Sequence, residues 1–170
     1  MAVQAGNVGN RFFSHDKLTY IEWVHLKDET VLKSSIRGID FLSEIGITID
    51  SKNYDFNSVS NSKQIPADGL EYDIFRFHSK KSRITLEVAV LNNAVAFRYV
   101  SDLGSGWRVD SEKSSFKLPE GSRVYYFERK NDWKLKSYAG TWENCKVEQL
   151  SFISGENPIQ GPPLIVQLPN

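Results

Sequence analysis

The sequence predicts an all-β protein built as an antiparallel β-sandwich. Residues 84–90 and 94–100 alternate apolar and polar side chains with a period of two, and Asn92-Asn93 between them suits a two-residue hairpin turn because Asn tolerates positive φ. Similar short runs, rich in β-branched and aromatic residues, are separated by turns containing Gly, Pro or Asn. Helix signals are weak, since Gly38 and Gly46 interrupt the one candidate segment, residues 36–45.

Further strands are predicted along the whole chain from the same pattern. In chain order they cover residues 18–26, 45–50, 71–78, 107–109, 115–118, 124–129, 146–152 and 164–168. The first of them carries large apolar groups on both faces, Tyr20 and Val24 on one and Ile21 and Trp23 on the other. That distribution is typical of a strand covered on both sides, as in a large two-sheet sandwich.

The predicted domain organisation is simple. Residues 1–16 are rich in Gly and Asn and form a flexible lead-in, and residues 17–170 form a single β-sandwich domain, because no repeat or linker divides them. Residues 51–68 are polar and rich in Asn and Ser, and are predicted to form a long loop.

Composition excludes several classes of protein. The 170 residues contain 21 Lys+Arg and 21 Asp+Glu, and a net charge of zero argues against a dedicated nucleic-acid binder. Cys145 is the only cysteine, which excludes an intrachain disulfide and a cysteine-based zinc site. No apolar run approaches the roughly 18 residues of a membrane span. Residues 1–10 lack the features of a signal peptide, so we expect a cytoplasmic protein or one whose export signal has been removed.

Catalytic templates are missing from the sequence. It has no Gly-x-Ser-x-Gly elbow, no phosphate-binding glycine loop and no His-Glu-x-x-His motif. His15, His25 and His78 lie in separate segments, and the last two fall within predicted strands. For those two we expect hydrogen-bonded structural roles.

Pairs of carboxylates, which glycosidases require, are also present. Asp110 with Glu112 and Glu143 with Glu148 are examples, but a chain with 21 acidic residues contains such pairs by chance. Nothing in their spacing selects them, so we interpret them as structural or solvent-exposed.

The unusual segment is residues 129–144. It places Trp133, Tyr138 and Trp142 beside Lys134 in a polar stretch with little strand or helix periodicity. Flat rings next to amide, carboxylate and ammonium groups are typical of a sugar site, where rings stack and polar groups bind hydroxyls. The alternative is a long loop held to the sandwich by its aromatic residues, because large aromatics usually bury for packing.

This segment and several others, taken in order, resemble the N-terminal domain of glycoside hydrolase family 97, bacterial α-glucosidases and α-galactosidases of the starch-utilisation type. The similar segments are residues 30–35 (TVLKSS), 38–39 (GI), 88–99 (VAVLNNAVAFRY), 126–129 (YFER), 131–140 (NDWKLKSYAG) and 158–164 (PIQGPPL). The resemblance covers about residues 17–168, and the tryptophan-containing segment is its most specific part.

The resemblance implies a galactose-mutarotase-like β-super-sandwich, which agrees with the strand pattern. In the family this domain precedes a (β/α)₈ barrel that carries the catalytic carboxylates, and it contributes to the rim of the active site. No βα repeat follows within residues 1–170, so no catalytic residue is assigned here. The resemblance also implies calcium in the intact enzyme. The expected ligand position aligns near Lys134–Lys136, and lysine does not bind calcium, so no metal ligand is assigned, with Glu143 and Glu128 left open as substitutes.

The functional prediction is an N-terminal domain of a family 97 enzyme that acts on α-glucosides or α-galactosides. It would brace the barrel, shape the sugar pocket through Trp133, Lys134, Tyr138 and Trp142, and be inactive alone. The alternative is a stand-alone carbohydrate-binding module. The expected partners are an α-linked oligosaccharide and the barrel, with neither nucleic acid nor membrane, and a dimer through the barrel-docking face is possible. The family implies a periplasmic or secreted protein.

Overall fold

The computed structural model describes residues 11–27, 29–56, 64–66, 72–79, 83–128, 141–153 and 161–169. Almost every element in these ranges is a strand and every strand pairing is antiparallel, which confirms the predicted fold class. The strands are β1 Phe12–Phe13, β2 Thr19–His25, β3 Thr30–Ile36, β4 Ile39–Glu44, β5 Gly46–Ile49, β6 Lys52–Asp55, β7 Gln64–Pro66, β8 Tyr72–His78, β9 Ile84–Leu91, β10 Val95–Ser101, β11 Val109–Glu112, β12 Ser115–Lys117, β13 Arg123–Glu128, β14 Thr141–Lys146 and β15 Gly161–Gln167. A 3₁₀ turn at Val147–Gln149 leads into the short helix α1, Leu150–Ile153. No helix in the described ranges is long and apolar enough to cross a membrane.

The chain forms two compact units, Met1–Lys117 and Leu118–Asn170. The first unit contains a five-stranded sheet in the order β1-β2-β3-β4-β12, a four-stranded sheet in the order β10-β9-β8-β7 and a three-stranded sheet in the order β11-β5-β6. The second contains one sheet in the order β14-β13-β15. The prediction of a single domain over residues 17–170 stays a prediction.

The core of the first unit lies between its five-stranded and four-stranded sheets. The ring centroid of Phe12 on β1 lies 5.1 Å from those of both Phe75 and Phe77 on β8. Trp23 on β2 meets Phe77 edge to face at 6.1 Å. The buried aliphatic residues around these rings are Ile21, Leu32, Ile84, Leu86, Val88 and Val90. The first unit is therefore a two-sheet sandwich, as the sequence predicts.

The three-stranded sheet of this unit joins the same core. Ile47 and Ile49 on β5 are buried with the residues of the larger sheets. Phe56, which follows β6, is fully buried and stacks on Tyr99 of β10 at 5.8 Å.

The β9–β10 hairpin forms where the alternation predicts it. Val90 pairs with Val95, and the Leu91 amide donates to the Ala94 carbonyl at 2.9 Å. Among the described residues, positive φ occurs at neither Asn92 nor Asn93, so the turn geometry differs from the one the sequence argument invoked. Asn92 also connects the turn to the start of β2, because its backbone carbonyl accepts a hydrogen bond from the Thr19 hydroxyl at 2.6 Å.

The predicted strand over residues 146–152 is wrong. Strand β14 ends at Lys146, and the 3₁₀ turn and α1 follow. The Gln149 side chain accepts a hydrogen bond from the Lys146 amide at 3.1 Å, and the Val147 amide donates to the Ser122 carbonyl at 2.9 Å. The first bond caps the start of the 3₁₀ turn, and the second is the last bond that this segment makes to the residues next to β13 before the turn begins.

The prediction of a single long loop over residues 51–68 is also wrong, because β6 and β7 lie within it. Strand β6 pairs with β5 across a two-residue turn, Asp50-Ser51, in which both residues have positive φ. Residues 36–45, considered above only as a weak helix, belong mostly to β4, which pairs with the unpredicted β3. Strand β11 begins at Val109 and not at residue 107.

The second unit is built around β13, which pairs with β14 on one side and β15 on the other. Val124 and Tyr126 on one face of β13 are buried, as is Cys145, which pairs with Val124. The opposite face of this sheet, defined by Arg123 and Tyr125, is called the open face below. It carries the one predicted sugar-binding residue that the structure describes.

Candidate functional site

Three of the four predicted sugar-binding residues, Trp133, Lys134 and Tyr138, lie outside the described residues. The fourth, Trp142, lies on β14, where the sequence predicts no strand. It pairs with Phe127 of β13, and half of its surface (52%) is exposed. About half of the indole surface is therefore in contact with solvent and the rest with neighbouring residues.

The strand register determines the surroundings of Trp142 on the open face. Tyr125 lies two residues along β13 from Phe127, between Asn144 on β14 and Ile165 on β15. Diagonal neighbours of this kind have Cβ atoms roughly 7–8 Å apart, within reach of aromatic side chains. Trp142 and the half-buried Tyr125 therefore belong to one surface.

Polar groups flank these rings. The Tyr125 hydroxyl donates to Oε1 of Gln167 at 3.2 Å, and Nη1 of Arg123 donates to Oδ1 of Asn144. Arg123, Asn144 and Gln167 are all exposed. Aromatic faces beside amides and a guanidinium are the groups that bind sugar rings and their hydroxyls.

Sequence reasoning missed the contributions of Tyr125, Asn144 and Gln167 to this surface. The available signal was the spacing by two of Trp142 and Asn144, and of Arg123 and Tyr125, which places each pair on one strand face. It was overlooked because residues 141–146 begin in a polar stretch and were not predicted as a strand.

Comparison with known proteins agrees with this architecture. A family model described as "Glycosyl-hydrolase 97 N-terminal" matches residues 6–170. The chain belongs to the glycosyl-hydrolase 97 N-terminal family. The resemblance recognised in the sequence is thereby confirmed. No curated protein matches the chain.

Two histidines of this family 97 domain are hydrogen-bonded within their sheets, as the sequence argument expects. Nδ1 of His25 lies 2.7 Å from the Thr30 hydroxyl on the neighbouring strand. Nδ1 of His78 lies 2.7 Å from the Thr85 hydroxyl in the same arrangement. Each ring is held by a cross-strand hydrogen bond.

Asp110 and Glu148, two carboxylates whose spacing in the sequence does not indicate a catalytic pair, stabilise local structure in this domain. Asp110 accepts hydrogen bonds from the Ser51 amide and, at 2.8 Å, from Nε of Arg108. These bonds, that of the Ser51 amide above all, lower the pKa of Asp110 below its usual range. Glu148 accepts from the Gly121 amide at 2.5 Å, which lowers its pKa in the same way. Both groups are anions fixed by backbone donors, as the structural interpretation expects.

The described side chains of this chain do not by themselves form a complete site for calcium, which the family resemblance implies for an intact enzyme. The described residues contain no group of three or more His, Cys, Asp or Glu side chains that could hold a metal ion. Calcium takes six to eight oxygen ligands, so isolated carboxylates such as Asp110 and Glu148 are too few.

Two buried glutamates in the first unit form the strongest charged clusters that the structure describes there. Glu22 on β2 accepts from Nε of Arg11 at 2.6 Å and lies 3.6 Å from Nζ of Lys33. Lys33 also contacts Asp40 at 2.8 Å, so that these four side chains have no net charge.

The second cluster is centred on Glu87 of β9, which is 8% exposed. Arg76 on β8 contacts one carboxylate oxygen through Nε at 2.5 Å, and Arg98 on β10 contacts the other through Nε and Nη2, both at 2.7 Å. Burial acts to raise the pKa of Glu87, but the hydrogen bonds and charges of Arg98 and Arg76 outweigh it and lower that pKa below its usual range. The cluster therefore holds one anion and two cations.

Proposed function

We propose that this chain is the N-terminal domain of a family 97 glycoside hydrolase that acts on α-glucosides or α-galactosides. In this proposal the domain braces a following (β/α)₈ barrel and shapes the sugar pocket through residues 129–144, while the barrel supplies the catalytic carboxylates. The observation that carries it is the match of the family over residues 6–170. The family name assigns the domain to the N-terminal part of a glycosyl hydrolase, which needs a catalytic part elsewhere.

The exposed Trp142 supports the part of the proposal that concerns the sugar. It lies just after residues 129–140, which contain the other three predicted sugar-binding side chains. A ring that stacks on substrate beside Trp133 and Tyr138, with Lys134 binding a hydroxyl, would orient the sugar at the rim of the barrel. The domain alone is then inactive, and we place the enzyme in the periplasm or outside the cell, as the family implies.

The test uses an enzyme in which residues 1–170 are followed by a barrel. Trp133→Ala and Trp142→Ala are each expected to raise KM or lower kcat about tenfold on an α-glucoside or α-galactoside, because a stacking face worth roughly 1–1.5 kcal/mol is lost. Trp107→Ala is the matched control, since Trp107 is also partly exposed but lies before β11, in the first unit. Unchanged kinetics in both variants, with folding intact, would remove the segment from the sugar pocket.

The second candidate function is a stand-alone carbohydrate-binding module. It is favoured by the open face itself, on which Tyr125, Trp142, Asn144 and Gln167 share one exposed surface. Titration of the 170-residue chain with maltooligosaccharides and galactosides, followed by tryptophan fluorescence, separates the two functions. A saturable response that Trp142→Ala abolishes supports the module. The absence of a response supports the role of a bracing domain. Such a domain, without its barrel, is expected to dimerise at high concentration through the face on which the barrel would dock.

A further inference from the structure

The outer face of the β10-β9-β8 sheet contains a hollow that the family assignment does not explain. This face carries alternate residues of each strand, and Ala89 of β9 pairs directly with Ala96 of β10. Two side chains of only one carbon each leave a depression between their larger neighbours. The resulting hollow is open to solvent and has a volume of about 400 Å³, a size that suits a small ligand.

The walls of the hollow differ in chemistry from one end to the other. Tyr72, Ile74 and Leu91 make one end apolar. Glu87 and Arg98 line the other end, two residue pairs beyond the alanines. A ligand that fills this hollow therefore needs an apolar body and a polar group at one end only.

The charge at the polar end selects an anion. Arg76 and Arg98 share the single carboxylate of Glu87, so this end carries a net positive charge. The Arg98 side chain is 73% exposed, although it is fixed by two contacts to Glu87. Because this guanidinium is already held in place, its remaining N–H groups can bind a ligand without a large loss of side-chain entropy. Carboxylates match the geometry of a guanidinium best.

We propose that this hollow binds a small organic carboxylate, with its apolar body on Ala89 and Ala96 and its carboxylate on Arg98. The site lies in the first unit and does not depend on the proposed glycosidase function. The neutral cluster around Glu22 offers no comparable excess of positive charge.

The test is a titration of the isotope-labelled 170-residue chain with benzoate and with cyclohexanecarboxylate, followed by amide NMR shifts. We expect saturable shifts centred on Ala89, Ala96 and Arg98. The matched neutral probes, benzyl alcohol and cyclohexylmethanol, should bind at least about tenfold more weakly, because a charge-assisted hydrogen bond is lost. Absence of saturation by either acid, shifts centred elsewhere, or equal binding of acids and alcohols would overturn the proposal. If the hollow accepts a carboxylate only as the side chain of another protein, neither acid will saturate it.

Two variants test the two ends of the site separately. Arg98→Gln should weaken binding of the acids about tenfold, and Ala96→Leu should remove it by filling the hollow. Ala96→Leu changes an exposed position, whereas Arg98→Gln also removes one of the two cations that pair with the buried Glu87, so urea unfolding is measured for both variants to show that each is folded before its binding is compared. Arg108→Gln is the matched control, because Arg108 is an exposed arginine that contacts a carboxylate, Asp110, in a different sheet. The assignment to Arg98 is refuted if the Arg98→Gln variant binds the acids with wild-type affinity. It is also refuted if the Arg108→Gln variant loses binding.

Discussion

The packing of the first unit predicts a large loss of stability when Phe77 is truncated. Phe77 is fully buried, and it contacts Phe12 and Trp23 from the opposite sheet in edge-to-face geometry. Phe77→Ala removes a buried ring between the sheets, which costs about 3–5 kcal/mol. Phe77→Leu keeps most of the volume but loses both aromatic pairs, and should cost about 1–2 kcal/mol. At roughly 2–4 °C per kcal/mol for a chain of this size, Phe77→Ala should lower Tm by about 10 °C.

Urea unfolding, followed by circular dichroism and by tryptophan fluorescence, to which Trp23 beside Phe77 contributes, measures these losses. The matched control is Phe116→Ala, because Phe116 belongs to the same unit but is 61% exposed and contacts only the ring of Phe97 among the described aromatic side chains. Its truncation should cost less than about 1 kcal/mol. The reasoning is refuted if Phe77→Ala costs less than about 1 kcal/mol, or if the two truncations cost the same. Either result would mean that the two sheets do not pack through Phe77.

Three further predictions follow from local features. Glu87→Gln should lower the free energy of unfolding by about 2 kcal/mol at neutral pH. Because the pKa of Glu87 is lowered in the folded state, its contribution to stability is present above the unfolded pKa of about 4.3 and is lost as the pH falls through the lower folded value. The stabilities of the wild type and the variant should therefore converge in acid, and parallel pH profiles of unfolding would contradict this. Gly38→Ala should cost about 1 kcal/mol in urea unfolding, and Gly38→Asn less, because Gly38 has a φ of +88°; an alanine variant as stable as wild type would argue against this turn. Burial raises the pKa of the Cys145 thiol, so a thiol reagent should label it slowly in the native chain and rapidly in urea, whereas immediate labelling would place it at the surface.

The elements that the sequence predicts well are those with apolar residues at every second position. Strands β2, β8, β9 and β10 all lie within about one residue of their predicted bounds. In β9 the four residues Ile84, Leu86, Val88 and Val90 point into the core, so the period of two is visible directly. Burial of one sheet face produces this pattern, and the pattern in turn predicts the strand.

Strands β3 and β6 were missed because other forces specify them. In β3 the buried positions include Ser34 and Ser35, and a buried serine leaves no apolar period to detect. Strand β6 is nearly all polar and is held by pairing with β5 and by the hydrogen bond from the Thr48 hydroxyl to Oδ1 of Asn53 at 2.7 Å. Such strands are specified by pairing with their neighbours and not by apolar alternation, so a search for a period of two does not find them.

The candidate sugar site was predictable in part for a related reason. Composition singled out Trp142, because an aromatic residue in a polar stretch is unusual. On the same open face, Tyr125 pairs with Ile165 of β15, which is more than twenty residues from Trp142 in the sequence. Sequence spacing can place side chains on one strand face, but the choice of neighbouring strand depends on long-range pairing.

The buried glutamates show how charge can specify a sheet. Alternation alone assigns Glu22 and Glu87 to outer faces, yet both are buried, because cations on the neighbouring strands cover them with their own side chains. A slip of β9 by one residue would turn Glu87 into the core with its partners on the other side, leaving an unpaired charge in an apolar environment. The correct register places Glu87 between Arg76 and Arg98 and Leu86 in the core at the same time. Ion pairing on the outer face and apolar burial on the inner face therefore select the same register, and both disfavour the slipped one.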